Sequence, residues 1–223
     1  MEDRKVILKI EHLCKDFDIK AKSFTGKALK LHALSDISLD IYEGETLGII
    51  GESGCGKSTL GRCLVNLHPI TSGKLVYDGK ELNRLRKKER QALSREIQMV
   101  FQDPYSSLDP RHTAADSVEE PMIVHKTPAT ARERQERTIG LFKEVGLDMQ
   151  HLNRYPHEFS GGQRQRLNIA RAIASNPRVV ICDEPVSALD VSIQAQIVNL
   201  LVDLQKKMGL TYLFVAHDLS MVK

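Results

Sequence analysis

Eight consecutive residues, Gly51-Glu52-Ser53-Gly54-Cys55-Gly56-Lys57-Ser58, carry the spacing G-x-x-x-x-G-K-[ST] directly after the apolar run 46–50. A strand, a glycine loop and a helix in that order make a cup of backbone N–H groups that suits the phosphates of a nucleoside triphosphate. Gly54 and Gly56 let the backbone turn where side chains would block it, and Lys57 adds a mobile positive charge for the outer phosphates. The Ser58 hydroxyl is placed to ligate Mg²⁺, and Thr59 opens the helix that follows. A glycine-rich turn matched by chance is the bland alternative. It is disfavoured because the flanking strand and helix are both legible.

Three further strand-like runs end in residues that phosphate chemistry can use: Gln102 after 97–101, Asp183-Glu184 after 179–182, and His217 after 211–216. In an open α/β sheet, ligands collect beyond the carboxyl ends of the strands. Asp183, closing an apolar strand, suits a Mg²⁺ ligand acting through water. Glu184 suits the base or orienter of an attacking water, since phosphoryl transfer needs positioning more than covalent chemistry. Alone, an Asp-Glu pair reads equally well as a helix cap or surface turn, and a lone histidine reads as a satisfied hydrogen bonder. Their position beside a phosphate loop favours the functional reading of both.

The elements that must hold these residues are visible in outline. Residues 6–10 and 37–41 alternate as half-buried strands, and Glu43-Gly44 turns the chain into the strand at 46–50. A helix is expected over 59–67, stopped by Pro69, then a strand over 73–77 with a tight turn at Asp78-Gly79. From Asp103 to about His157 the pattern changes to turns and charged helix, including a helix over 129–145 that stops at Gly146. Residues 103–158 are expected to form a helical subdomain inserted in a single domain spanning 1–223. Ser160 and Gln163 make a capping-box pattern for a helix running to about Ser175. The continuous apolar strand 179–183 suits the middle of a parallel sheet. Ile193, Ile197, Leu200, Leu201, Leu204 and Met208 form an ordinary helical core stripe, and 211–216 is the last clear strand.

The 32 basic and 29 acidic residues leave a formal charge of +3, which gives no nucleic-acid footprint. The basic stretches 20–30 and 84–90 read as solvated faces. Cys14, Cys55, Cys63 and Cys182 have no C-x-x-C spacing, so neither a zinc site nor a disulfide framework is indicated and a reducing cytosol fits best. No run of about 18 apolar residues occurs, so membrane association is expected to go through a partner.

With these marks in order, the chain resembles the ATP-binding cassette ATPases. Phe159-Ser160-Gly161-Gly162-Gln163 looks like the family signature with phenylalanine in place of the usual leucine, and Ser187-Ala188-Leu189-Asp190 matches its dimer-interface loop. Gln102 fits its glutamine loop and His217 its switch histidine. The segments 102–111, 154–159 and 192–196 resemble the peptide and nickel branch of importers, the oligopeptide permeases in particular, with Asp109 where asparagine is common.

The resemblance implies an α/β P-loop fold with a mostly parallel core sheet, an N-terminal antiparallel β subdomain and the inserted helical subdomain. It implies ATP and Mg²⁺ as cofactors, catalytic roles for Lys57, Gln102, Glu184 and His217, and metal contacts from Ser58, Gln102 and Asp183. It suggests an aromatic adenine platform, Phe17 first and Phe24 second. Implied partners are a second, related ATPase whose ATP the signature would contact, two transmembrane permeases and, indirectly, an extracytoplasmic binding protein, but no nucleic acid. The chain would sit peripherally on the cytoplasmic face of the membrane. Relatives continue past Lys223, so a C-terminal truncation is expected, with unpaired strand edge around 211–216. A soluble cassette ATPase acting on DNA or ribosomes is the rival reading, but no coiled coil separates phosphate loop and signature. A catalytically dead binding module is opposed by intact Lys57, Glu184 and His217.

Overall fold

The structure, a computed structural model, describes residues 4–19, 29–128 and 130–217. Its elements run β1 (Val6–Ile19), β2 (Leu29–Tyr42), β3 (Thr46–Ile50), α1 (Lys57–Leu64), β4 (Ser72–Tyr77), β5 (Lys80–Glu81), α2 (Lys87–Glu96) and β6 (Ile97–Val100). They continue with α3 (Ala114–His125), α4 (Ala131–Glu144), α5 (Gly161–Ile173), β7 (Val179–Asp183), α6 (Val191–Met208) and β8 (Thr211–Ala216).

The strands form two sheets. One is antiparallel in the order β2-β1-β4-β5, and the other is parallel in the order β3-β8-β7-β6. Every residue of β7 and β8 is buried, as a parallel strand covered on both faces requires. Side chains alternate between the faces. Val179, Ile181, Leu213, Ile97 and Met99 pack with Leu60 and Leu64 of α1 and with the antiparallel sheet. Val180, Cys182, Tyr212 and Phe214 pack with α5, α6 and the helices α3 and α4 on the other side. A one-residue slip of β7 would exchange these two sets, so both cores fix the register. Gly61 lets α1 approach the sheet closely, because a Cβ there would lie 3.1 Å from Ile181 Cγ2.

The expected edge at 211–216 is corrected by this topology. β8 lies inside the sheet, paired to β3 through Thr46↔Tyr212 to Ile50↔Ala216 and to β7 through Val179↔Thr211 to Asp183↔Val215. Six buried residues need both edges as well as both faces covered, and insertion between β3 and β7 does this. β1 and β2 are also longer than the alternating segments 6–10 and 37–41, at 14 residues each. α1 starts two residues before the expected helix and ends three before it.

Between β6 and α5 lie α3, α4 and two short 3₁₀ turns, Met149–His151 and Pro156–Glu158. Thr113 and Thr130 cap α3 and α4, each accepting a backbone N–H three residues on, from Asp116 and Glu133. Gly146, at φ 70°, ends the second. Val118, Met122, Leu141 and Phe142 bury these helices in the core shared with α5 and β8.

Candidate nucleotide site

All four parallel strands end at one level, three of them at or beside a polar side chain and β3 at the glycine loop. β3 runs into Gly51, β6 is followed two residues on by Gln102, β7 closes with Asp183, and β8 leads to His217. The pairs Val100↔Cys182, Asp183↔Val215 and Ile50↔Ala216 keep these ends abreast. The parallel register therefore gathers groups far apart in sequence.

At the first end, Gly54 and Gly56 take φ values of 82° and 101°, in the left-handed region that favours glycine. At Gly56 the requirement is double, since a Cβ would stand 2.5 Å from the Ala33 carbonyl oxygen on β2. Gly56 caps α1, so the loop delivers the N-terminal N–H groups of that helix to the cleft, an anion site by geometry and dipole. Lys57 is buried, and its Nζ donates to the carbonyls of Gly51 at 2.6 Å and Glu52 at 2.8 Å. Its charge is thereby held over the loop and along the cleft wall.

Across the strand ends, Ser58 Oγ donates to Asp183 Oδ1 at 2.8 Å. Asp183 Oδ2 is buried with no hydrogen-bond partner among the described residues. A buried carboxylate oxygen without a donor is costly. Beside a hydroxyl and a phosphate cup, it suits a hard divalent cation that takes its remaining ligands from phosphate and water. Among the described residues no three His, Cys, Asp or Glu side chains cluster as a metal site, so the protein would supply only part of the shell.

Glu184, one residue on, is 6% exposed and sits at φ 46°, uncommon for a residue with a side chain. Its backbone is locked by Glu184 N donating to Val215 O and by Ser187 N and Oγ donating to Glu184 O. Its carboxylate accepts from Gln102 Nε2 at 2.7 Å through Oε2 and pairs with His217 Nε2 at 2.7 Å through Oε1. Both oxygens are oriented, yet a carboxylate retains further lone-pair sites for water.

The loop from Ser53 to Thr59, Gln102, Glu184 and His217 line a cleft of about 450 Å³ together with Phe17. The Phe17 ring is half-buried, with the His68 ring edge-on at 5.3 Å and the Lys15 ammonium 4.6 Å from its centroid. Phe24 lies outside the described residues. Leu31, His32 and Ala33 of β2 also line the cleft. Sequence reading missed these three, because only the cross-strand register that sets Leu31 opposite Phe17 brings them there.

A second group assembles elsewhere. Ser160 caps α5 in the expected box: Gln163 N donates to Ser160 Oγ at 3.3 Å and Ser160 N to Gln163 Oε1 at 3.0 Å. Ser160 and Gly161 are exposed, whereas Phe159 is buried against His151. A Cβ at Gly162 would lie 2.7 Å from Ile193 Cγ2, and one at Gly161 would lie 3.4 Å from Leu189 Cδ2, so the signature abuts the loop Ser187-Ala188-Leu189-Asp190. None of residues 159–163 borders the cleft.

The parallel sheet, glycine loop and strand-end carboxylates define a nucleotide-binding α/β protein of the P-loop class. The sequence pattern of the ABC transporter family matches residues 34–187, and the chain belongs to that family. Over 218 residues, 97% of the chain, it is 52% identical to the oligopeptide transport ATP-binding protein OppF of Bacillus subtilis, of which it covers 69%. The OppF of Escherichia coli is 49% identical across the whole chain, which spans 67% of that relative. The glutathione import ATP-binding protein GsiA of Pectobacterium atrosepticum is 48% identical, and the chain spans 35% of it. Among solved structures, the dimeric ATP-binding cassette MJ0796 in a post-hydrolysis state with ADP and Pi superposes with a TM-score of 0.84 at 33% identity, covering 96% of this chain and 90% of that one.

Proposed function

We propose that this chain binds and hydrolyses ATP to energise an importer of oligopeptides. The observation that carries the reading is Glu184, braced by Gln102 and His217 at strand ends level with the phosphate loop. Lys57 and the N–H groups from Gly51 to Thr59 would hold the phosphates, and Phe17 would stack on the base. Ser58 and Asp183, with Gln102 nearby, would hold Mg²⁺, which neutralises charge on the phosphates when bound. Glu184 would then orient water for in-line attack and accept its proton, while Gln102 and His217 keep its carboxylate aimed.

An exposed signature beside an exposed loop, both away from the chain's own cleft, suits contact with nucleotide held by a second cassette. The similar cassette MJ0796 is dimeric, and the similar OppF and GsiA proteins serve oligopeptide and glutathione transport. No helix among the described residues is long and apolar enough to cross a membrane. In this reading two permeases would form the transport path, with the chain at their cytoplasmic face and a binding protein delivering substrate. Residues 103–158 would act as a helical subdomain hinged at Gln102. A groove holding Phe101, Leu67 and Val124, the last two exposed apolar side chains, is our candidate for the permease contact.

Lys57→Ala tests the site. ATP affinity and turnover should each fall about 100-fold or more while far-ultraviolet circular dichroism is unchanged. A variant that binds ATP like the parent would remove the phosphate-loop assignment.

A further inference from the structure

We propose that Gln194 is a positioning residue for hydrolysis, one that holds the loop after β7 and, through that loop, the backbone of Glu184. The proposal rests on the nucleotide reading above and adds a residue to it. Residues 192–196, part of the resemblance to the peptide and nickel branch, open α6 directly after the loop 184–190. Helix side chains lean toward the N-terminus, so a long polar side chain there reaches back over the loop. Gln194 does so: its Nε2 donates to Val186 O at 3.2 Å and to Leu189 O at 2.9 Å. One amide nitrogen thereby closes the loop from both sides, and this uses both of its hydrogens.

The span between those two carbonyls is what holds Glu184. Glu184 sits at φ 46° and precedes Pro185, although the residue before a proline favours extended backbone. Such a conformation persists only where its surroundings impose it. On one side Glu184 N donates to Val215 O at 3.1 Å. On the other, Ser187 N and Ser187 Oγ each donate to Glu184 O at 3.2 Å, and Ser187 lies inside the span that Gln194 closes. Without the Gln194 amide, Ser187 loses its brace and the carboxylate drifts from the direction in which Gln102 and His217 meet it. The backbone bond from Leu189 N to Val186 O remains, so the loop loosens rather than unfolds.

Gln194→Met tests this, because methionine keeps an unbranched side chain of similar length and removes the donors. With the partner cassette present, ATP affinity and nucleotide-dependent dimer formation should match the parent, while single-turnover hydrolysis falls about tenfold, the scale of the lost hydrogen bonds. In a Glu184→Gln background, adding Gln194→Met should cost less than about twofold, since the group that it positions is already gone. An unchanged hydrolysis rate in Gln194→Met would overturn the proposal. So would a further loss of about tenfold in the Glu184→Gln background, which would make the two residues independent. Loss of ATP binding or of the dimer in Gln194→Met would also overturn it and assign Gln194 to the fold or the interface. A parent that neither binds nor hydrolyses ATP would instead remove the nucleotide reading itself, and the proposal with it.

Discussion

His217 Nε2 lies 2.7 Å from Glu184 Oε1, although the two residues end neighbouring strands and are separated by all of α6. The pairing follows from the parallel register of β7 and β8, in which Asp183 faces Val215. It leaves Glu184 buried, oriented and adjacent to the phosphate loop, the setting of a group that works on a bound phosphate.

Glu184→Gln keeps the shape of that side chain and one acceptor oxygen but loses the charge and cannot take a proton. ATP binding by the parent and the variant should agree within about threefold, while single-turnover hydrolysis falls roughly 10²–10⁴-fold, the range for loss of a general base. Hydrolysis at the parental rate, measured with the partner cassette present, would take Glu184 out of the chemistry.

Ser160→Arg places bulk and charge at the exposed start of α5, outside the chain's own cleft. Photolabelling of the isolated chain by an ATP analogue should be nearly unchanged, while nucleotide-dependent dimer formation on size exclusion should be lost. Labelling lost as fully as in Lys57→Ala would mean that signature and phosphate loop serve one intrachain site.

Much of this site was legible because its residues terminate short, wholly apolar runs. The strands at 179–183 and 211–216 were read to the residue, and Gln102, Asp183, Glu184 and His217 followed from their ends. Strand order was not legible. The last strand in sequence reads as an edge, and only the pairing of β8 with β3 puts it inside. The length of β1 was hidden because register shifts between Ile10 and Leu13 and between Lys15 and Asp16 break its alternation. α2 escaped notice because it is mostly charged, with Leu93 as its buried apolar anchor, though the 84–90 stretch is solvated over Lys88 to Arg90 as read. The cleft residues Leu31 to Ala33 carry no motif at all.

Asp78, in the β4–β5 turn, gives a pH test of the fold away from the site. Hydrogen bonds from Lys5 Nζ at 2.5 Å and then Arg178 Nη1 at 3.2 Å hold its carboxyl below the ordinary 3.8. A lowered folded value means stability that is present above the unfolded value and lost as pH falls through the folded one. Asp78→Asn should therefore be less stable than the parent at pH 7 in urea, by at most about 1 kcal/mol because solvent screens the pair. The difference should shrink as pH falls below the ordinary 3.8 and through the lowered folded value. A difference that stays constant from pH 7 to pH 3 would show that the ion pairs are not its source.

The most direct test of the central claim, that four strand ends of this chain assemble a nucleotide site, is thermal unfolding with and without Mg²⁺-ATP. Ligand that binds only the folded state stabilises it by mass action, by about 2.7 kcal/mol at a hundredfold excess over Kd, which is a shift of several degrees for a domain of this size. The account predicts a midpoint that rises with millimolar Mg²⁺-ATP in the parent and does not rise in Lys57→Ala. A cooperative transition in the parent that stays in place at millimolar nucleotide would contradict it.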